Sequence, residues 1–200
     1  KYLLEVLRRG LYGEFFDDAL KALIPFMDPA RYGRSILENS SFIVSSVHED
    51  KGLHGQGFVA RLSGSTAEFV HMWLVMNTGS QPFSVEQKGK IVLAFDPALA
   101  AWLFTTKDTQ ADYFDIHKQA WIVVDVPAKS YAFQFLGSTL VVYHNPLKKN
   151  TFGPNKAKIV KICLTYPRQQ AVELESSVIA HPYAMDVRNH KVSRIDIYLQ

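Results

Sequence analysis

Lys156-Ala-Lys-Ile-Val-Lys-Ile-Cys-Leu-Thr-Tyr166 sets the character of the second half of the chain. Lys158, Val160, Ile162 and Leu164 fall on one face of an extended strand; Ile159, Lys161, Cys163 and Thr165 fall on the other. That alternation is the period of a β-strand, whose successive side chains point to opposite sides. Strand-like stretches also run from Lys90 to Phe95, Trp121 to Val126, Tyr131 to Phe135, Thr139 to Tyr143, Ala171 to Leu174, Tyr183 to Val187 and Val192 to Leu199. Turn residues at Gly137, Asn145-Pro146, Gly153-Pro154 and Asn189 separate them. No helical stretches alternate with these strands, so residues 83–200 read as an antiparallel β-sandwich.

Upstream of Pro82 the period is helical. Tyr2 to Arg8 reads as the end of a helix. Glu14 to Leu23 reads as a second, with Phe15, Phe16, Ala19, Leu20 and Leu23 on one stripe and Pro25 and Pro29 beyond it. A third runs from about Ser65 to Asn77. Its start carries a capping box, Ser65-Thr-Ala-Glu68, and Asn77-Thr-Gly79 closes it. Phe69, Val70, Met72, Trp73, Leu74 and Met76 leave it little polar surface, so it is expected to be buried on most sides. Residues 29–63 between these helices read as irregular. They carry Leu37, Phe42, Ile43, Val44, Val47, Leu53, Phe58 and Val59, an apolar load that predicts packing rather than disorder.

The composition of the 200 residues narrows the function classes: 48% are hydrophobic and 20% charged, as in a globular protein. Twenty-two basic against 19 acidic residues is too even for a dedicated nucleic-acid or polybasic membrane binder. No apolar run approaches the length of a membrane span, and no signal-peptide pattern opens the chain. The single cysteine, Cys163, excludes a disulfide framework and a multi-cysteine zinc site, and fits a reducing, cytoplasmic setting. The chain opens at Lys1 directly into helix-like sequence, so it is expected to be the C-terminal piece of a longer polypeptide.

The stretch Arg61-Leu-Ser63-Gly64-Ser65-Thr66-Ala-Glu68 carries the strongest chemical signal. Free amides at a helix start, the helix dipole, hydroxyl side chains and a nearby arginine suit an anion, phosphate above all. The plain alternative is a capped helix with a surface arginine. Arg34, Glu38 and Asn39 offer a guanidinium, a carboxylate and an amide for sugar hydroxyls or acid–base work, against a reading as a backbone-bonding turn. His48 and His54 flank a glycine-rich turn. Their spacing does not match a helical metal site, whereas an imidazolium beside phosphate is chemically apt. Cys163 reads as a structural thiol, and no metal site is indicated.

Taken in order, these motifs resemble a known family. They are Glu38-Asn-Ser-Ser-Phe42, Ser63-Gly-Ser-Thr-Ala67 opening a helix with Met72-Trp73, and Leu93-Ala-Phe-Asp-Pro97 followed by Trp102. Phe133-Gln-Phe-Leu-Gly137, the strand from Thr139 to Tyr143, and Asn145-Pro146 complete them. This order resembles the C-terminal region of the inverting glycoside phosphorylases related to cellobiose phosphorylase, including the β-1,3-glucan phosphorylases. The resemblance implies an α+β chain, the end of an (α/α)6 helical barrel over residues 1–82 followed by the β-sandwich over 83–200. It implies phosphate contacts from the turn Ser63, Gly64 and Ser65, with Thr66 next, and sugar and phosphate sites bordered by Glu38 and Asn39; Arg61 and His54 join the phosphate contacts, and Arg34 the sugar contacts, on their own chemistry rather than through the resemblance. The family's phosphate-contacting histidine falls at Ser45 here, a departure that leaves His48 and His54 as the two candidates for its place. The reaction implied is phosphorolysis of a β-glucan to glucose 1-phosphate with inversion, with inorganic phosphate as co-substrate and no other cofactor. The general acid is expected upstream, so this segment alone is expected to be inactive. Oligosaccharide and phosphate are the expected partners, without nucleic acid or membrane, and a homodimer is among the states the resemblance allows.

Three other readings stand beside it. A free-standing sandwich could hold a glycan through aromatics such as Trp102 and Tyr143. A structural sandwich could bind nothing, and an inverting glycoside hydrolase could share the same fold. The phosphorylase reading carries one structural expectation of its own: apolar surface left exposed along the helix 65–77.

Overall fold

A computed structural model of the protein describes residues 2–23, 28–34, 40–60 and 64–200. Five helices and twelve strands occur among them, and the contacts divide the chain into two units, Lys1–Val75 and Met76–Gln200.

The first unit opens with α1 (Tyr2–Arg8) and α2 (Tyr12–Ala22). Leu4, Val6 and Leu7 of α1 and Phe15, Phe16 and Ala19 of α2 are buried. A short helix α3 (Pro29–Tyr32) follows, begun by the Asp28 carboxylate, which accepts the amide of Arg31 (3.2 Å), and ended at Gly33 with a left-handed φ of 70°. The stretch expected to be irregular contains an antiparallel hairpin, β1 (Ser40–Ile43) with β2 (Gly57–Ala60). Helix α4 (Gly64–Thr78) comes next.

No helical barrel is evident among the described residues, which corrects the expected (α/α)6 architecture. A barrel of that kind is a closed ring of helix pairs. Here α1 and α2 pack as one hairpin, α3 is a single turn, and a β-hairpin stands between α3 and α4. The chain is sheet-rich instead. The expectation that α4 is buried on most sides is also corrected: Met72 and Val75 are buried, while Val70, Trp73 and Leu74 are about half exposed.

The second unit holds three sheets. The largest has the order β10 (Gln169–Leu174), β9 (Ile159–Tyr166), β12 (Arg194–Leu199), β8 (Thr139–His144), β7 (Ser130–Phe135). The second runs β11 (Val178–Ile179), β4 (Ile91–Ala94), β3 (Phe83–Val85), and the third is the hairpin β5 (Thr109–Asp115) with β6 (Ala120–Val126). The core lies on one face of the large sheet. Val141, Tyr143, Ile162, Leu164, Ile195 and Ile197 meet Leu93 and Ile179 of the second sheet there. On the opposite face, Tyr113, Ile122 and Val124 of the β5–β6 hairpin cover Leu140 and Val142.

The large sheet is mixed, which corrects the antiparallel expectation. The connection 145–158 is too long for a tight hairpin, so β8 and β9 stand apart and the last strand enters between them. β12 pairs parallel with β8, Ile195 opposite Val141, and antiparallel with β9, Ile195 opposite Leu164. The stretch read as a strand at Tyr183–Val187 is a helix, α5 (Tyr183–Arg188). Its Ala184 and Val187 are both fully buried three residues apart, a helical spacing that prevailed over the alternation of Tyr183, Met185 and Val187.

The unit boundary falls seven residues before the composition change at Pro82. The end of α4 is tied to the sheets by backbone bonds: Ala98 N–H to Met76 O at 2.8 Å and Asp96 N–H to Thr78 O at 3.2 Å. The Tyr143 hydroxyl, fully buried, donates to Asn77 O at 2.7 Å. Tyr143→Phe removes that buried donor. A loss of about 1–2 kcal/mol is expected, read as a lower urea midpoint with an unchanged slope.

Candidate functional site

The β1–β2 register brings the two motif-bearing segments of the first unit to one end of a ladder. Ser40 is opposite Ala60, Phe42 opposite Phe58, and Ile43 opposite Gly57. Ser40 directly follows Glu38-Asn39 in sequence, and Ala60 lies four residues before the start of α4 at Gly64. Glu38, Asn39, Arg61 and Ser63 themselves lie outside the described residues. Gly64, Ser65 and Thr66 form the first turn of α4. The helix therefore begins two residues before the Thr66 start that a cap at Ser65 implies, and Ser65 stands inside the first turn rather than at the cap. A helix of 15 residues leaves its first amide groups without partners in the helix and turns its positive end toward whatever lies there.

The ladder is fixed by one close packing. Tyr32, almost fully buried, donates its hydroxyl to Ser40 Oγ (2.8 Å). Gly57 lies so close that a β-carbon there would collide with the Tyr32 ring and the Ser40 hydroxyl. Arg34 donates from Nε to Gly57 O (2.8 Å), which puts this predicted sugar contact at the Gly57 end of β2.

His54 sits beyond that same end, after a 3-10 turn at Lys51–Leu53. Its Nε2 is 2.7 Å from His48 O, and its own carbonyl accepts from Arg31 Nε (3.1 Å). The hairpin thus keeps His54 away from the Ala60 end by the length of β2, about 10 Å at the usual rise of a strand. His48 Nδ1 accepts the amide of Asp50 (3.1 Å). Both histidines hold the loop that closes the hairpin. His71, on α4, pairs with Arg8 Nη2 (3.2 Å).

A polar array on the large sheet escaped sequence reasoning because its members lie far apart in the chain. His144 Nε2 is 2.7 Å from Asp196 Oδ1, and Arg194 donates to both Asp196 oxygens, each at 2.7 Å. His144 Nδ1 is 3.1 Å from the hydroxyl of Ser130. The His144 ring stacks on Tyr198 with centroids 4.7 Å apart. A serine, a histidine and an aspartate in line suggest nucleophilic catalysis, but Ser130 is buried and cannot meet a substrate. Arg194 also neutralises the aspartate. Burial alone would raise the Asp196 pKa; the hydrogen bonds from His144 and Arg194 overcome that and hold it below the ordinary range. The array holds β8, β12 and β7 together. Cys163, opposite Asp196 on β9, has its thiol pushed up by burial and by the Asp196 and Glu173 carboxylates, a direction that disfavours the reactive thiolate.

The aromatics of the second unit also fall out differently from expectation. Tyr143, named above as a glycan contact, is completely buried, while Trp102 is about half exposed. Trp121 is the prominent surface aromatic, 71% exposed on the outer face of the β5–β6 hairpin, with Phe114 edge-on at 5.6 Å. Among the described residues no group of three histidine, cysteine or carboxylate side chains is placed to hold a metal ion. No helix among them is long and apolar enough to cross a membrane.

Comparison with protein-family models finds no match, and comparison with curated proteins finds none either.

Proposed function

We propose that this chain is the C-terminal part of an inverting glycoside phosphorylase acting on β-glucans, and that its first unit supplies phosphate and sugar contacts. The observation that carries the reading is the pairing of Ser40 with Ala60. It joins the segment after Glu38-Asn39 to the segment before Ser63-Gly64-Ser65-Thr66, the two motifs that the resemblance assigns to one site. The start of a long helix at Gly64 adds the amides and dipole that a phosphate needs. The half-exposed Val70, Trp73 and Leu74 of α4, with Phe42 and Phe58 on the hairpin, are the apolar surface that this reading anticipates.

In the reaction, a phosphate oxygen attacks the anomeric carbon as the glycosidic C–O bond breaks. A carboxylic acid gives its proton to the leaving oxygen, and the configuration inverts because no glycosyl-enzyme forms. The helix start binds and orients the attacking phosphate. The acid comes from elsewhere in the complete polypeptide, whose cytoplasmic location would supply the phosphate.

Titrating the 200-residue chain with inorganic phosphate tests the binding step. Amide resonances of Gly64, Ser65 and Thr66 are expected to shift saturably. Gly64→Val, which crowds the approach of the anion, is expected to weaken the response on the order of tenfold while leaving the helical circular dichroism intact. Unmoved amides at 64–66, or an unchanged response in Gly64→Val, would remove the phosphate site from this turn.

A glycan-binding role without catalysis is favoured by a single observation, the exposed Trp121–Phe114 pair. An indole face so exposed is a stacking surface for a sugar ring, with Gln110 and Asp125, bonded at 3.0 Å, further along the same face. That reading predicts saturable binding of laminari-oligosaccharides to the chain and its loss in Trp121→Ala. Binding that persists in Trp121→Ala would discard it.

A further inference from the structure

We propose that the second unit carries an anion-binding cleft for a small phosphorylated ligand, separate from the helix start of α4. The cleft has a volume of about 720 Å3 and is lined by residues from three connections at one end of the large sheet. The β5–β6 turn brings His117 and Lys118, the β9–β10 turn brings Arg168, and the loop between α5 and β12 brings His190 and Lys191. The sequence scatters these cations over more than seventy positions, so no local motif announces them.

The cleft is held in shape before any ligand arrives. Asp115 Oδ1 accepts the backbone amides of His117 (2.9 Å) and Lys118 (3.2 Å), which fixes the turn carrying both. The Lys118 ammonium stands 3.6 Å from the other Asp115 oxygen. Lys191 Nζ lies 2.9 Å from Asp186, and His190 Nδ1 lies 2.6 Å from the Ser138 hydroxyl. The Arg168 guanidinium has no hydrogen-bond or ion-pair partner among the described residues, and Arg168 lines the same cleft. Its planar fork of donors is suited to two oxygens of one anion. Asp115 also lines the cleft, so one carboxylate stands there against the cations Lys118, Arg168 and Lys191; Lys118, only loosely paired at 3.6 Å, can turn to the third oxygen of a phosphate monoester, whereas a planar carboxylate offers only two oxygens. The volume is in the range that encloses a small metabolite such as a hexose phosphate.

The test is a nuclear magnetic resonance titration of the 200-residue chain with glucose 1-phosphate at low salt, with glucuronate as the carboxylate control. Saturable shifts are expected at His117, Lys118, Arg168, His190 and Lys191. Arg168→Ala, in an exposed turn, is expected to weaken binding about tenfold, as loss of a charge-assisted pair does. Lys118→Ala is expected to act in the same direction. No saturable shift at these residues, an affinity unchanged by both substitutions, or glucuronate binding as tightly as glucose 1-phosphate would overturn the proposal. Shifts at residues 64–66 report on the first unit in the same spectra, so either site can fail without the other.

Discussion

Asp196→Ala is expected to cost the sheet-rich unit about 3 kcal/mol, the usual loss when one partner of a buried ionic group is removed. The carboxylate is the hub of its array, bound twice by Arg194 and once by His144, on strands β12 and β8 that pair in parallel. Its side chain is only 12% exposed and that of His144 18%, so water replaces the lost partner poorly at His144. Arg194, about one third exposed, recovers some solvation, which keeps the figure at the lower end for a buried group. Chemical unfolding of the wild type and the variant measures the difference. A loss below about 0.5 kcal/mol would mean the array is a surface feature.

The same carboxyl gives a pH signature. Its pKa is lower in the folded state than in the unfolded chain. It therefore contributes stability that is fully present above the unfolded carboxylate value of about 4 and is lost as pH falls through the folded value. Asp196→Asn should lack that acid-sensitive component, so its stability relative to the wild type improves as the pH drops below about 4. Parallel stability–pH curves for the two proteins would contradict the assignment.

Gly57→Ala is the second large effect. A methyl group at this position meets the Tyr32 ring and the Ser40 hydroxyl at distances no packed side chain tolerates. Tyr32 is buried and cannot swing away without breaking its bond to Ser40. A cost of about 3 kcal/mol, at the top of the usual range for overpacking, is expected, taken up by opening of the β1–β2 hairpin. Hydrogen exchange at Phe42 and Phe58 should accelerate, with the second unit unaffected. Loss of the phosphate response at Gly64–Thr66 in this variant would tie the hairpin to the anion site.

Much of the second unit was legible because one sheet face is buried and the period of two shows directly in residues such as Ile162 and Leu164. The parallel pairing of β8 with β12 was not legible. It depends on where the last strand enters, and alternation fixes which face a residue takes but not its neighbour. Helices α1, α2 and α4 were readable from their stripes and stops. The β1–β2 hairpin was hidden because Phe42, Ile43, Phe58 and Val59 are all exposed apolar residues, with no polar face to mark the period. A helical barrel was inferred from resemblance rather than from the period of residues 1–82, and the helices among the described residues of that stretch form no such ring. The candidate site divides similarly. A helix start with glycine and hydroxyl residues is a local signal. The 3-D company of His54, and the cations gathered around Arg168, are set by turns far apart in sequence.

The phosphorylase proposal is tested on the longer polypeptide to which, on that proposal, these 200 residues would belong. That polypeptide is incubated with laminari-oligosaccharides and with cellobiose, with and without inorganic phosphate, and glucose 1-phosphate is assayed. Sugar phosphate is expected only when phosphate is present, and as the α-anomer from a β-linked substrate, as inversion requires. Free glucose released at the same rate with or without phosphate, or no product from either substrate, would contradict the proposal.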